Sequence, residues 1–309
     1  MSNSDLTFGY VMQPVPKGFS DEVMADPFEA TVALIEANEQ GIKLSRPHFD
    51  TIWAEDHFQW GTRPVIEAIT ALSYMIGRHE GMRFGHLVLG QSYRNPALTA
   101  KMAAVCQVLS KGKFILGIGA GWKEDEYRAY GYPYPSAGQR IDELEEAVQI
   151  IKLLWTESPA NFEGKHYHIK DAECQPQPKP MIPLFIAGGG EKKTLRVVAK
   201  YADWWNVPFI KPEEYARKQQ ILVEHCREVG RDPGEILHSY YGLISLAEDE
   251  SKVQTQHDVN IISGTPDTVT RTLEEFVKLG VKHMQLRFMD FPKTDGLELF
   301  IEKVLPRLK

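Results

Sequence analysis

Segments of strand character alternate with segments of helical spacing along this 309-residue chain, and this alternation limits the possible folds more than any other feature. Strands are predicted at the short apolar runs 6–12, 49–54, 82–89, 113–118, 183–187, 202–207, 237–246 and 281–289. Helices are predicted at segments 27–40, 64–77, 95–109, 140–155, 191–200, 212–229, 265–279 and 296–308. Eight strand–helix units in series predict an α/β protein folded as a (β/α)8 TIM barrel.

Two segments that break the alternation are predicted to be insertions in the barrel. Residues 161–181 are polar and rich in proline, which favours a small hairpin and a loop, and residues 248–258 are polar, which favours a mobile insertion. A doubly wound open sheet is the alternative fold, but its usual set of about five to seven strands would leave units over. No change in composition marks a boundary, so residues 1–309 are interpreted as a single domain.

Charge and cysteine content argue against several classes of protein. The 42 Asp and Glu residues outnumber the 35 Lys and Arg residues, and the net charge of −7 argues against a nucleic-acid-binding protein. No apolar run approaches the roughly 18 residues of a membrane span, and residues 1–7 lack the pattern of a secretion signal. Cys106, Cys174 and Cys226 are odd in number and far apart, which predicts reduced thiols and a cytoplasmic location.

The first candidate site follows the second predicted strand, at Glu55, Asp56 and His57. A TIM barrel places catalytic groups in the loops at the carboxyl ends of its strands. Histidine can transfer a proton near neutral pH, and a neighbouring carboxylate can fix its tautomer. The segment therefore predicts acid–base chemistry, and a capping aspartate beside a packed histidine is the alternative. Trp60 in the same loop could line a cofactor or cover the mouth of the barrel.

Two glycine-rich stretches end the fourth and fifth predicted strands, at residues 117–121 and 188–190. Glycine lets backbone N–H groups approach a phosphate closely, and three glycines before a helix combine these groups with the helix dipole. Tight turns are the alternative for each stretch taken alone. Because both lie at the same end of a barrel, they indicate one phosphorylated cofactor across its mouth.

Other ionisable residues give weaker indications. His166, His168 and Cys174 match no compact zinc-binding spacing, so they are interpreted as surface residues and no metal site is predicted. Arg287 could bind an anionic substrate or form a structural ion pair, and the ion pair is favoured. No sequence pattern of a hydrolase is present.

Taken in order, these segments resemble the bacterial luciferase-like superfamily of flavin and deazaflavin enzymes. The resemblance rests on residues 49–58, 93–122, 183–206 and 264–269, and on the pattern E-x-x-x-Y-G at Glu126, Tyr130 and Gly131. It implies a TIM barrel with insertions and a flavin-type ring held at the carboxyl-terminal mouth.

The resemblance also implies roles for individual residues. The cofactor phosphate would lie against Gly119, Ala120, Gly121, Trp122, Gly188, Gly189 and Gly190. A non-proline cis peptide bond between Leu87 and Val88, next to Gly90, would support the ring. His57 would donate or accept a proton with support from Asp56, and Phe58, Trp60 and Tyr93 would form a partly apolar substrate pocket.

The resemblance leaves two cofactors open. The segment from Asp56 to Trp60 is similar to the F420-dependent sugar-phosphate dehydrogenases, but those enzymes have a catalytic glutamate where Trp122 stands here. This difference argues for another reaction. The prediction is an oxidoreductase that uses coenzyme F420 for hydride transfer to or from a small organic substrate. An FMN-dependent monooxygenase with a separate reductase is the alternative, and a non-catalytic flavin-binding protein is a third possibility.

The superfamily also commonly dimerises through barrel helices, which implies a homodimer here. The apolar helices predicted at residues 64–77 and 96–109 could form the interface. Each of these helices must also cover the barrel.

Overall fold

The structure is a computed structural model, and it describes residues 5–254 and 260–309. Its strands are β1 (Thr7–Val11), β2 (Thr51–Ala54), β3 (Arg83–His86), β4 (Leu89–Gly90), β5 (Phe114–Gly119), β6 (Ala160–Glu163), β7 (His168–Ala172), β8 (Leu184–Ala187), β9 (Trp204–Asn206), β10 (Leu237–Leu246), β11 (Ile261–Gly264) and β12 (His283–Phe288). Its helices are α1 (Asp21–Met24), α2 (Pro27–Ser45), α3 (Ala68–Arg78), α4 (Pro96–Leu109), α5 (Glu124–Ala129), α6 (Ala137–Thr156), α7 (Thr194–Tyr201), α8 (Pro212–Glu228), α9 (Pro266–Lys278), α10 (Asp295–Leu299) and α11 (Leu305–Leu308).

Eight parallel strands close into a barrel in the order β1, β2, β3, β5, β8, β9, β10 and β12, and β12 pairs back to β1. The barrel strands are buried along most of their length. This is expected where side chains fill the interior on one side and helices cover the other. The predicted (β/α)8 barrel is confirmed. Because the strands are parallel, the loops after their carboxyl ends share one rim.

Trp53 fills the interior of the barrel, and two glycines make room for it. A Cβ atom at Gly9 would lie 2.3 Å from Nε1 of Trp53, and one at Gly85 would lie 2.3 Å from its Cζ3. The indole N–H of Trp53 donates to Nε2 of His283 at 3.0 Å. Phe185 packs edge-on against the same ring, with 5.6 Å between the centroids. The barrel below the rim is therefore a packed core, and the open volume lies above it.

Two strands differ from the sequence-based predictions. The strand predicted at residues 82–89 is divided into β3 and β4. Strand β11 was not predicted, and it pairs with the second half of β10. The reason lies in strand length. The short strand β9 pairs only with Leu237 and His238 at the start of β10, so the rest of that edge is open to β11.

Several helix boundaries differ from the predicted ones. Helix α2 extends to Ser45, beyond the predicted end at residue 40. Helix α3 begins at Ala68, four residues after the predicted start at Pro64, because the carboxylate of Glu67 caps it by accepting the N–H groups of Ile69 and Thr70.

The closing helix predicted at residues 296–308 is interrupted by a π-helical turn, Phe300–Val304, just before Pro306. Proline lacks an N–H group and disturbs the preceding helical turn. The predicted capping residue Thr265 precedes α9, but its side chain makes no capping hydrogen bond. Helix α7 begins at Thr194, three residues later than predicted, and helix α5 was not predicted.

The insertions are partly as predicted. The hairpin is confirmed by the antiparallel pairing of β6 with β7. Within the predicted insertion 248–258, residues 255–258 lie outside the described residues, as do residues 1–4 of the polar N-terminal segment. Across the described parts of the chain, no helix combines the length and apolar character needed to traverse a lipid bilayer.

Candidate active site

A cavity of about 820 Å³ opens at the carboxyl-terminal rim of the barrel. Loops that follow the barrel strands form its wall, which is where a TIM barrel is expected to hold its site. The cavity wall includes these residues predicted from the sequence: Asp56, His57, Trp60, Leu87, Val88, Gly90, Tyr93, Gly119, Ala120, Gly121, Trp122, Gly188, Gly189 and Gly190. Closure of the barrel thus brings together groups that are far apart in the chain.

His57 is held by a buried carboxylate, that of Glu126. The Nδ1 atom of His57 lies 3.1 Å from Oε2 of Glu126. Oε1 of Glu126 accepts the backbone N–H groups of Phe58 and Gln59, each at 2.8 Å, and Oε2 accepts the hydroxyl of Tyr93 at 3.0 Å. A carboxylate can only accept, so it favours the tautomer of His57 with a proton on Nδ1. This leaves Nε2 as the ring nitrogen available to the cavity.

The surroundings of Glu126 keep it ionised. Burial by itself would raise its pKa, but hydrogen bonds from His57 and from the backbone N–H groups of Gln59 and Phe58 lower the pKa below its ordinary value. Tyr93 is buried next to this carboxylate, and burial and the negative charge both raise the pKa of its hydroxyl. Glu126 is therefore the anion of the cluster and Tyr93 a neutral donor, so the carboxylate can orient His57.

Asp56 contacts a different partner from the one predicted. Its two oxygens accept hydrogen bonds from Arg94 at 2.8 and 2.9 Å, and one of them also accepts the N–H of Gly90 at 3.0 Å. A guanidinium presents two donors in the geometry of a carboxylate, which a single imidazole cannot match. Asp56 thus joins the end of β2 to β4, and the orienting position predicted for it is taken by Glu126.

The two glycine stretches lie side by side, because β5 and β8 are neighbours in the barrel. Gly121 and Gly188 have φ angles of +75° and +133°, which side chains rarely adopt. A Cβ atom at Gly121 would lie 1.9 Å from the Tyr127 hydroxyl, and one at Gly190 would lie 2.5 Å from Oγ1 of Thr194. Residues 119–121 and 188–190, called here the glycine wall, line the cavity, and Ala120 is the one residue among these six that carries a side chain.

The peptide bond between Leu87 and Val88 is cis, which confirms that prediction. Both residues line the cavity. A Cβ atom at Gly119 would lie 3.0 Å from Cγ2 of Val88, so this segment packs directly against the glycine wall. Together they form one continuous surface of the cavity.

Three aromatic residues stand around His57, and one predicted pocket residue does not. The rings of Trp60 and Trp122 pack edge-on to the imidazole, with centroids 5.1 and 5.9 Å away. Tyr93 reaches the cavity beside them. Phe58 lies behind the wall, in contrast to the prediction, because its ring packs against Tyr93 with 4.5 Å between the centroids.

A second polar cluster lies on the part of the wall formed by β2, β10 and β12. Arg287 forms an ion pair with Glu55, which confirms the structural interpretation of this arginine. The hydroxyl of Tyr241 donates to Oε1 of Glu55 at 3.0 Å. Burial raises the pKa of Tyr241 well above its ordinary value, although the charge of Arg287 opposes the rise. The charges of Arg287 and Glu55 therefore cancel each other, although the cluster faces the cavity.

Glu126, Arg94 and Arg140 are site residues that the sequence analysis missed. Glu126 stands out in the sequence only as part of the E-x-x-x-Y-G pattern, and it is 69 positions from His57. Arg140, near the start of α6, lines the cavity and is buried, and its Nε atom has no hydrogen-bond partner among the residues that the structure describes. An acidic residue in the loop after the fourth strand of a predicted barrel is the signal that could have identified Glu126.

The residues considered for metal binding do not meet. His166 lies 3.8 Å from Glu143, and His168 is exposed on β7. Cys174 is buried, in contrast to the surface position predicted for it, because it packs into the core between barrel and helices. Among the residues that the structure describes, no group of three or more His, Cys, Asp or Glu side chains could hold a metal ion.

Comparisons with known proteins agree with this architecture. A family model described as luciferase-like monooxygenase matches residues 30–263. The F420-dependent glucose-6-phosphate dehydrogenase of Amycolatopsis mediterranei (strain U-32) is 26% identical over 316 aligned positions, which cover 88% of this chain and 93% of that protein.

Solved structures share the fold over nearly the whole chain. An F420-dependent secondary alcohol dehydrogenase in complex with an F420–acetone adduct superposes with a TM-score of 0.83 at 20% identity, covering 98% of this chain and 99% of that one. A monooxygenase from Streptomyces bottropensis superposes with a TM-score of 0.78 at 18% identity, covering 98% and 100%. At these identities the superpositions establish the fold.

Proposed function

The chain belongs to the luciferase-like monooxygenase family, and from this premise we propose that it is an oxidoreductase that uses coenzyme F420 for hydride transfer to or from a small organic substrate. The observation that carries the proposal is the pairing of His57 with the buried Glu126 on the wall of a cavity that also contains the glycine wall. The F420-dependent dehydrogenase to which the chain is similar supports a deazaflavin cofactor.

The glycine wall and its surroundings fit the phosphate of such a cofactor. The unpartnered Nε atom of Arg140 is a buried donor beside the cavity. The first turn of α6, which begins at Ala137, also lines the cavity, so the positive end of this helix dipole favours an anion there. Arg140 and the backbone N–H groups of residues 120–122, 189 and 190 would hold the phosphate, whereas the N–H of Gly188 already donates to the carbonyl oxygen of Asn206. Gly119 and Gly188 would lie against the phosphate, and Leu87 and Val88 would support the ring.

The residues around His57 would handle the proton of the reaction. When bound, F420 supplies a ring that gives or takes a hydride. Nε2 of His57 would donate a proton to the substrate or accept one from it, while Glu126 holds the imidazole in place from the other side. Trp60 and Trp122 flank the imidazole and would limit the approach of water to it.

Monooxygenation with FMN is the second candidate, and Trp122 is the observation that bears on it. This side chain occupies the place where the similar sugar-phosphate dehydrogenases are expected to have a catalytic glutamate, and it is 67% exposed at the mouth of the cavity. FMN, when bound, would supply the oxygen chemistry, and an apolar ring at the mouth of the cavity would help to keep water away from it. A monooxygenase of this kind would need a separate reductase to supply reduced FMN.

A fluorescence titration of the protein with F420, with FMN, and with FAD as a control separates these candidates. Tight binding of F420 with weak binding of FMN, followed by turnover under strict anaerobiosis, is the expected result. Preference for FMN, with oxygen uptake in step with product, would replace the proposal with the monooxygenase. Binding of a cofactor without any redox turnover would identify a non-catalytic flavin-binding protein.

We also propose that the protein forms a homodimer through α3 and α4. These helices carry large apolar side chains that are exposed in the single chain: Tyr74, Leu98, Val105, Val108 and Leu109. Contiguous exposed apolar residues of this kind mark an interface. Analytical ultracentrifugation of the wild type and of Val108→Lys is the test, with a dimer expected for the first and a monomer for the second.

A cytoplasmic location is the remaining proposal that follows from the sequence. Cys106, Cys174 and Cys226 are all buried and free. Free thiols are typical of proteins in a reducing compartment. Cell fractionation with an antibody against the protein would test the location.

A further inference from the structure

Most charged groups on the cavity wall have an ion-pair partner, but three cations have none among the described residues: Arg140, which is assigned above to the cofactor phosphate, and Lys17 and Arg63. The wall carboxylates are matched as follows: Glu55 with Arg287, Asp56 with Arg94, and Glu126 with His57. Lys123 is paired with Asp125. Lys17 and Arg63 also line the cavity, both are exposed, and neither has an ion pair within residues 5–254 and 260–309. The rim therefore carries uncompensated positive charge.

The loops that carry these two cations are fixed to each other. The carbonyl oxygen of Pro14, in the loop with Lys17, accepts the N–H of Ile66, in the loop with Arg63, at 3.0 Å. Gly18 has a φ angle of +83°, and a Cβ atom there would lie 2.7 Å from a backbone oxygen of the loop after β12. Lys17 and Arg63 are thus presented together on anchored backbone.

The charges are close enough to repel one another. Although Lys17 is exposed as a whole, partial desolvation of its ammonium group lowers its pKa, and the positive charges of Arg287 and Arg63 lower the pKa further. The carboxylate of Glu55 offsets the charge of Arg287. An anion placed between Lys17 and Arg63 would relieve the repulsion and gain charge-assisted hydrogen bonds from both.

The position of this pair separates it from the glycine wall. In the barrel order, β1 is opposite β8, whereas β2 is opposite β9 and is separated from β5 by β3. The loops with Lys17 and Arg63 follow β1 and β2, whereas the glycine wall follows β5 and β8. Arg63 lies in the same loop as His57, so a molecule held at Arg63 is on the side of the cavity where the imidazole stands.

We propose that Lys17 and Arg63 bind the anionic group of the substrate, a carboxylate or a phosphate, at the part of the rim that follows β1 and β2. This inference rests on the proposed function, because it assigns the glycine wall to F420. It defines the substrate as a small organic anion whose reacting carbon reaches His57 while its charged end stays at the rim.

Isothermal titration calorimetry tests the proposal on the protein alone and on the protein saturated with F420. The probes are inorganic phosphate and succinate, with 1,4-butanediol as the neutral analogue of succinate. The variants are Lys17→Met, Arg63→Met and the double variant, and Lys170→Met, an exposed lysine on the β6–β7 hairpin, is the matched control. Saturation with F420 occupies the glycine wall, so the remaining anion site is the one at the rim.

The loaded wild type should bind phosphate or succinate but not butanediol, and which anion binds more tightly identifies the charged group. Each single variant should bind the anion about fivefold more weakly and the double variant about twentyfold, as for charge-assisted hydrogen bonds at a partly exposed site, while F420 affinity is kept. Equal anion binding by the double variant and the wild type would overturn the proposal. So would a loss of F420 affinity in these variants, because the cations would then serve the cofactor.

Failure of the proposed function gives a different result. The wild type would then not bind F420 at all. In that case the titrations of the F420-free protein with phosphate and succinate test whether the anion site at the rim exists. Anion binding that the double variant loses and Lys170→Met keeps would support the rim site even then. Anion binding that is unchanged in the double variant would reject it.

Discussion

Replacing Glu126 by glutamine should remove the orientation of His57 while leaving the size of the side chain unchanged. The carboxylate of Glu126 accepts four hydrogen bonds, from His57, Tyr93 and two backbone N–H groups. An amide has one acceptor oxygen, and its NH₂ group would face the donors on His57 and Tyr93. The imidazole must then move its proton to Nε2 or leave a buried donor unpaired.

Each of these two responses should produce an effect that is large enough to measure. An unpaired buried donor costs about 1–3 kcal/mol, which should appear in the free energy of unfolding in urea. Misplacing the proton of a catalytic histidine should reduce turnover by about 100-fold or more, the range expected for general acid–base catalysis. The loss should fall on kcat, because Glu126 is behind His57 and does not itself bind the substrate.

The direct readout is the tautomer of His57, from the ¹⁵N chemical shifts of its ring. In the wild type the proton should be on Nδ1, and in Glu126→Gln on Nε2. Glu146→Gln is the matched control, since Glu146 accepts the backbone N–H groups of Lys165, His166 and Tyr167 at 2.8–2.9 Å in the β6–β7 hairpin. It should lose stability without losing turnover. A Glu126→Gln variant with the wild-type tautomer and near wild-type turnover would refute the reasoning.

Three further predictions concern the glycine wall, the Asp56 ion pair and the buried histidines. Gly189→Ala would place a Cβ atom 3.1 Å from a side-chain carbon of Val207. A fluorescence titration should show F420 binding weakened by about tenfold while the barrel still folds. The control is Gly77→Ala in α3, where the added Cβ atom meets open space and F420 binding should be unchanged. Asp56→Asn should lower the free energy of unfolding by about 2 kcal/mol, because it removes the two-point charged partner of Arg94, which then keeps only its ion pair with Glu67. An unchanged urea midpoint would contradict this. Burial lowers the pKa of three histidines, to about 3 for His86 and about 4 for His238 and His283. The three rings stay neutral in the folded protein but take up protons in the unfolded chain. Their contribution to the free energy of unfolding is therefore fully present above the ordinary histidine pKa of 6.5, and it is lost as the pH falls below that value. Urea unfolding should show a loss of about 1 kcal/mol for each ring between pH 6.5 and about 5.5, and a flat profile would show that the rings are protonated in the folded state.

Local features of the chain were predictable because they depend on neighbouring residues. The barrel strands follow from apolar runs, and their order along the chain places Gly119 and Gly189 at one rim. The segment after β2 indicated His57 as a proton carrier for the same reason. The prediction was wrong where a contact joined the loops of two barrel strands, as with Asp56, whose partner Arg94 is 38 positions away.

The periodicity of the chain thus predicts the barrel, and its glycine stretches predict the side of the rim that we propose for the cofactor, because strand, helix and turn preferences act over a few residues. The partners of the charged groups are set by barrel closure. Closure pairs Glu126 with His57 across 69 positions and Arg287 with Glu55 across 232. It also leaves Lys17 and Arg63 together at the rim without an ion pair among the described residues. The interaction energy of two charged groups depends on the distance between them in the folded protein, and this distance cannot be calculated from their separation along the chain.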